Sequence, residues 1–172
     1  DPETRKAMKA KALAKAQTEA RAAMAKNWIA ENGVLTGAAD GGAIGSAKNY
    51  ENFELILDWK TEGEAEMGIR SIPQIALGGK NSGALTGNML HDNAAPKAAA
   101  NGPQEWNTMQ VKVVSDRVTV VLNGVTTAEN VILENACNRE IPAYAEGQIL
   151  LIAGNAPLNV REMYIRELPA TP

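Results

Sequence analysis

Gly102-Pro-Gln-Glu-Trp-Asn-Thr-Met-Gln-Val-Lys-Val-Val-Ser-Asp-Arg-Val-Thr-Val-Val-Leu-Asn-Gly-Val-Thr-Thr127 is the stretch that decides the fold class. Met109, Val111 and Val113 alternate with Gln110 and Lys112. A turn at Ser115-Asp116-Arg117 leads into Val118, Val120 and Leu122, and Asn123-Gly124 turns the chain again into Val125-Thr126-Thr127. Period-two alternation places one apolar set on one face of a strand, and Asn-Gly is the strongest short-range hairpin signal. The main domain therefore reads as antiparallel β.

Outward from this stretch the texture persists. Asn32-Gly33, Asp40-Gly41-Gly42, Gly78-Gly79, Asn81-Ser82-Gly83 and Asn101-Gly102-Pro103 punctuate short apolar runs. Strands are expected near 28–31, 34–37, 43–46, 52–60, 66–71, 73–77, 83–86, 106–115, 117–123, 125–133, 147–153 and 158–168. The clearest is Phe53-Glu-Leu-Ile-Leu-Asp-Trp59, in which Phe53, Leu55, Leu57 and Trp59 share a face and Glu54, Asp58 and Lys60 the other. Many short strands with regular turn signals predict a sandwich or jelly roll. The longest stretch without strand signal is 87–105, a length typical of functional loops or of poorly ordered segments.

Residues 3–25 differ. They are rich in Ala, Lys, Gln and Glu and lack Gly and Pro, a strongly helical composition. Their large apolar residues are only Met8, Leu13 and Met24, so the expected helix is largely solvated or a linker, or else packs on a partner or along the edge of the β domain. The predicted division is a helix or linker over 1–26, a sandwich over 27–168 and a tail over 169–172, with a neighbouring domain or self-association through 1–26 as an option.

The composition excludes several classes. A single cysteine, Cys137, rules out an internal disulfide framework, and a single histidine, His91, rules out a multi-histidine metal site. No run approaches the ~20 apolar residues of a membrane-spanning helix. The net charge of −3 hides an asymmetry: residues 1–26 carry seven Lys or Arg against three acids, and the body carries ten against seventeen. An acidic body argues against nucleic acid as its partner. No phosphate-binding loop or nucleophile elbow is present. The chain opens at Asp1 without a methionine, as a trimmed chain or a mature product would.

Several segments carry a resemblance in order: Trp28-Ile-Ala-Glu-Asn-Gly-Val-Leu35, Tyr50-Glu-Asn-Phe-Glu-Leu-Ile-Leu-Asp-Trp-Lys60, Gly68-Ile-Arg70 with Gln74-Ile75, Ser82-Gly-Ala-Leu85, Glu105-Trp-Asn107, Leu122-Asn-Gly124, Gly147-Gln-Ile-Leu-Leu151 and Val160-Arg-Glu-Met-Tyr-Ile-Arg-Glu-Leu168. Over residues 27–168 the chain resembles the 3-keto-disaccharide hydrolase domain family, concanavalin A-like domains grouped with the glycosyl hydrolases. The resemblance implies a jelly-roll β-sandwich whose concave face meets sugar, an exported protein, and action on 3-keto-disaccharides or other sugars without a cofactor. The chain departs from the pattern at the chemistry. The glutamate usual two residues before the central glutamine is Ile72, a following aspartate corresponds to Leu77, and Pro73 interrupts the segment.

The candidate residues follow from this. Glycosidases use two carboxyl groups about 5–10 Å apart. Glu105, beside Trp106-Asn107, and His91, the one group that titrates near neutrality, are the candidate catalytic pair. Arg70, Gln74 and Asn107 are the candidate substrate contacts; four residues apart, Arg70 and Gln74 would share the face of a continuous strand. Glu62, Glu64 and Glu66, beside Gly63, read as a solvated loop. Trp59 and Trp106 read as core, and Trp28 as the least constrained tryptophan. Three functions compete: a glycoside-cleaving enzyme, a non-catalytic carbohydrate-binding or accessory module, and a structural or partner-binding domain.

Overall fold

The computed structural model describes residues 2–86, 99–135 and 138–169. Two helices lead, α1 (Pro2–Ala7) and α2 (Ala10–Asn27). The single helix expected over 3–25 is broken at Met8-Lys9, where Lys9 is extended (φ −63°, ψ 145°). No α2 side chain is buried, which follows from its few large apolar residues. Among the described residues no helix is long and apolar enough to cross a membrane.

Twelve strands follow among the described residues: β1 (Trp28–Glu31), β2 (Val34–Gly37), β3 (Gly42–Gly45), β4 (Phe53–Thr61), β5 (Glu64–Gly68), β6 (Gln74–Gly78), β7 (Leu85–Thr86), β8 (Asn107–Val114), β9 (Arg117–Leu122), β10 (Val125–Ile132), β11 (Leu150–Ala153) and β12 (Leu158–Glu167). They form a seven-stranded sheet ordered β1-β2-β12-β4-β8-β9-β10 and a five-stranded sheet ordered β3-β11-β5-β6-β7. Every pairing is antiparallel. This is the jelly-roll β-sandwich anticipated from the sequence. The β9–β10 turn has the conformation its Asn-Gly demands, with φ of 50° at Asn123 and 81° at Gly124.

The core lies between the sheets. Phe53, Leu55, Leu57 and Trp59 of β4 and Met109, Val111 and Val113 of β8 face Met67 of β5, Ile75 and Leu77 of β6 and Leu151 of β11. Each such side chain contributes about 1.5–3 kcal/mol when fully buried. The core cluster holds no residue before Trp28, so the helical arm adds nothing to it. Trp28, expected to be the least constrained tryptophan, is 5% exposed and lies flat over Gly37, where a β-carbon would meet its ring at 2.7 Å.

One expected region is rearranged. Strands near 66–71 and 73–77 were to carry Arg70 and Gln74 on a shared face. The chain instead makes the hairpin β5–β6, with Gly68 paired to Gln74 and residues 69–73 as its loop. Arg70 and Ser71 both take positive φ, 52° and 76°, and Pro73, which cannot donate to a ladder, sits in the loop. A loop between the two residues destroys the period-two argument that aligned them.

Candidate functional site

Glu64 and Glu66 are strand residues rather than a solvated loop. Ala65 and Met67 point into the core at 4% and 0% exposure, so alternation sends both glutamates to the outer face of the five-stranded sheet. Their Cα atoms lie about 7 Å apart by strand rise. The signal was legible as Glu-Ala-Glu-Met-Gly68; the neighbouring Gly63 disguised it as a turn. There the two glutamates line a groove of about 880 Å³ with Glu62, Lys80, Asn81 and Asn155, over a floor that includes Ala76, Gly78, Ile152 and Gly154. The Oδ1 of Asn155 accepts the Glu64 main-chain N–H at 2.8 Å, which fixes one rim to the start of β5. Among the described residues, the carboxylates of Glu62 and Glu64 have no ion-pair or hydrogen-bond partner.

The opposite outer face, on the seven-stranded sheet, is different. A groove of about 520 Å³ there is lined by Ile56, Val121 and Tyr164 and by a row of paired charges, Lys112–Glu54–Arg166. Asp58 is held by Thr108 Oγ1 at 2.7 Å and by Arg161 Nε at 3.3 Å. Trp106, expected in the core, turns to this face, with the Arg161 guanidinium 3.9 Å and Lys60 Nζ 5.0 Å from its ring centre. Acids already committed to cations are poorly placed to serve a ligand, and the Glu62 and Glu64 carboxylates, unpartnered among the described residues, make the five-stranded face the stronger candidate.

The sequence-predicted residues do not converge on the groove. Arg70 is 2% exposed. Its Nε and Nη2 donate to the carbonyl of Glu51, its Nη1 to those of Ser115 and Tyr144, and its Nη2 also to Asn52 Oδ1. All five of its N–H groups are thus used. Burial pulls the guanidinium below its ordinary pKa, partly offset by the Glu51 and Asp116 carboxylates. Arg70 is an internal pin and not a substrate contact. Asn107 is likewise corrected: it is 2% exposed, its Oδ1 accepts from Asn101 N at 2.7 Å and Asn123 Nδ2 at 2.8 Å, and its Nδ2 donates to the Glu105 carbonyl at 3.1 Å. Glu105 is exposed and its carboxylate closes a local turn by accepting Gly102 N at 3.1 Å. Gln74 does reach the outer face, half-buried at the start of β6 between the inward Pro73 and Ile75. His91 lies outside the described residues. Leu77 points fully into the core, where a carboxylate would be uncompensated, and Ile72 is half-buried in the β5–β6 loop.

The helical arm crosses the other end of this same face. The Arg5 guanidinium donates to Asn49 Oδ1, and Lys6 pairs with Glu146 at 3.6 Å. At the far end Asn27 Nδ2 donates to the Gly41 carbonyl at 3.1 Å. Between these anchors the arm stands over the sheet, and a second open groove of about 850 Å³ runs between them. Among the described residues, no group of three or more His, Cys, Asp and Glu is placed to hold a metal ion.

Comparison with known proteins adds the following. The profile of the 3-keto-alpha-glucoside-1,2-lyase-like domain matches residues 11–166. Among solved structures, a putative glycosyl hydrolase from Parabacteroides distasonis ATCC 8503 is similar at 25% identity and a TM-score of 0.66, over 83% of this chain and 91% of the other. A second protein of that name from the same organism aligns at 19% identity and a TM-score of 0.65, over 84% of each chain. The carbohydrate-binding module CBM66 of Bacillus subtilis aligns at 15% identity and a TM-score of 0.58, over 82% of this chain and 91% of the module. The last two bear on the fold alone. No curated protein matches the chain significantly.

Proposed function

The chain belongs to the 3-keto-alpha-glucoside-1,2-lyase-like domain family, and from that premise we propose that it binds a saccharide in the groove on the outer face of its five-stranded sheet. The observation that carries this reading is the groove itself, with carboxylates that accept hydrogen bonds from sugar hydroxyls and with Lys80, Asn81 and Asn155 as donors around them. Its volume falls in the range of small-molecule sites, roughly 300–1,000 Å³. Binding without turnover is favoured because Ile72 and Leu77 offer no acid and Glu105 is engaged in its own turn.

A second reading, glycoside cleavage, is favoured by one observation: Glu64 and Glu66 share a face at a spacing compatible with a carboxylate pair. Calorimetric titration of the chain with disaccharides and their 3-keto derivatives tests the first reading. Saturable binding that weakens at least about tenfold in Glu66→Gln and Asn155→Ala supports it; no binding across the panel refutes it. Chromatography of the same mixtures separates the readings, since product lost in Glu64→Gln would establish cleavage.

A further inference from the structure

The groove does not stop at Ile152. Two residues earlier on the same face of β11, Leu150 lines the groove beneath the helical arm. The two grooves are thus neighbours along one strand. Leu150 of β11 and Ile72 of the β5–β6 loop supply the apolar lining of the second groove on the sheet side, and Met8, Leu13, Ala16 and Ala20 on the arm side, with polar side chains of both sides completing it. Leu150 sits between glycines of both flanking strands: a β-carbon on Gly45 would come within 3.0 Å of its Cδ2, and one on Gly68 within 3.1 Å of its Cβ.

Apolar patches on the arm and on the sheet side therefore oppose each other across an open space. Such patches gain by closing on each other or by holding apolar matter between them. The arm's course over the sheet is set at both ends, by Arg5–Asn49 and Lys6–Glu146 at one and by Asn27–Gly41 at the other. The space is of the size that small ligands fill.

We infer that the ligand is a glycoside bearing an apolar aglycone, its sugar in the carboxylate-lined groove and its aglycone between Leu150 and the arm. This rests on the saccharide reading above and adds the class of the non-sugar part. The test is calorimetric titration of the full chain with methyl and hexyl α-D-glucopyranoside. The expected result is that the hexyl compound binds at least about tenfold more tightly. Leu150→Asp and, separately, Met8→Asp should remove that gain and leave methyl glucoside binding as it was. Leu150 is half-buried at the surface of its sheet and Met8 lies in the arm, outside the sandwich core, and circular dichroism verifies each fold. Equal affinity for the two glucosides overturns the inference and leaves the sugar groove standing. A hexyl gain that survives both substitutions also overturns it, since the apolar contact then lies elsewhere. Failure of both compounds to bind refutes the saccharide reading for glucosides and the inference with it.

Discussion

The Nη2 of Arg70 lies 3.3 Å from Oδ1 of Asn52, and that same oxygen accepts the main-chain N–H of Ser115 at 2.8 Å. The Nδ2 of Asn52 donates to the Pro169 carbonyl at 3.0 Å. One buried pair thus joins the β5–β6 loop, the β8–β9 turn and the end of β12. Replacement of Arg70 by Met strands several buried carbonyls and should cost on the order of 3 kcal/mol or more in urea unfolding. Lysine should not rescue it, because three donors on a flexible stem do not reproduce five in a planar fork. A variant of near-normal stability would show that Arg70 is not the pin described here.

Asn107 makes a similar latch with Asn123 and Asn101. Asn107→Ala should cost about 2 kcal/mol, since the main-chain N–H of Asn101 and the side chain of Asn123 lose their acceptor. The double variant Asn107→Ala/Asn123→Ala should cost less than the sum of the single ones, by about 0.5 kcal/mol or more. Strict additivity in chemical denaturation would break the proposed coupling.

The arm's outer anchor is electrostatic and exposed: the Lys6 and Glu146 side chains are 56% and 47% exposed. Such pairs are worth about 0–1 kcal/mol and are screened by salt. Amide hydrogen exchange in α2 should therefore be fast compared with that in β4 and β8, and faster still at about 1 M salt. Exchange in α2 as slow as in the core strands would contradict an arm with no buried side chain.

Glu54 sits below the ordinary carboxylate pKa because it accepts a hydrogen bond from Arg166, with a further contribution from Lys112. A depressed folded-state value means the carboxylate stabilises the fold above its unfolded pKa, and this contribution disappears as pH falls through the folded value. Thermal unfolding of the wild type should therefore lose stability between neutral and acid pH more steeply than Glu54→Gln. The exposed setting predicts a small difference, and parallel curves would count against the pairing.

The sandwich was legible because its signals are local. Alternation in Phe53–Trp59 and Met109–Val113, with Asn-Gly at residues 123–124, determines strands, faces and turn together. The site was less legible because its evidence is tertiary. Arg70 looks like a ligand contact in one dimension, and only the arrival of the Glu51, Ser115 and Tyr144 carbonyls makes it internal. Trp106 follows the pattern of an inward strand start but precedes β8 and turns outward onto Arg161. Glu64 and Glu66 obey alternation, yet Gly63 resembles a turn until Gly78 is seen packed against it, with an added β-carbon only 2.1 Å from the Gly63 carbonyl oxygen.

That last contact has a consequence for how this protein can diversify. A β-carbon at Gly78 would strike the Gly63 carbonyl, one at Gly154 the Glu64 carbonyl at 2.2 Å, and one at Gly147 the Arg70 carbonyl at 2.3 Å. Main chain blocks each position, so none can acquire a side chain without displacing a strand. The two glycines in the groove floor are thereby closed to evolutionary adjustment, while Glu62, Lys80 and Asn81 on the rim meet no such main-chain block. Descendants of this chain that switch ligands should therefore differ around the lip of the groove and agree at its base.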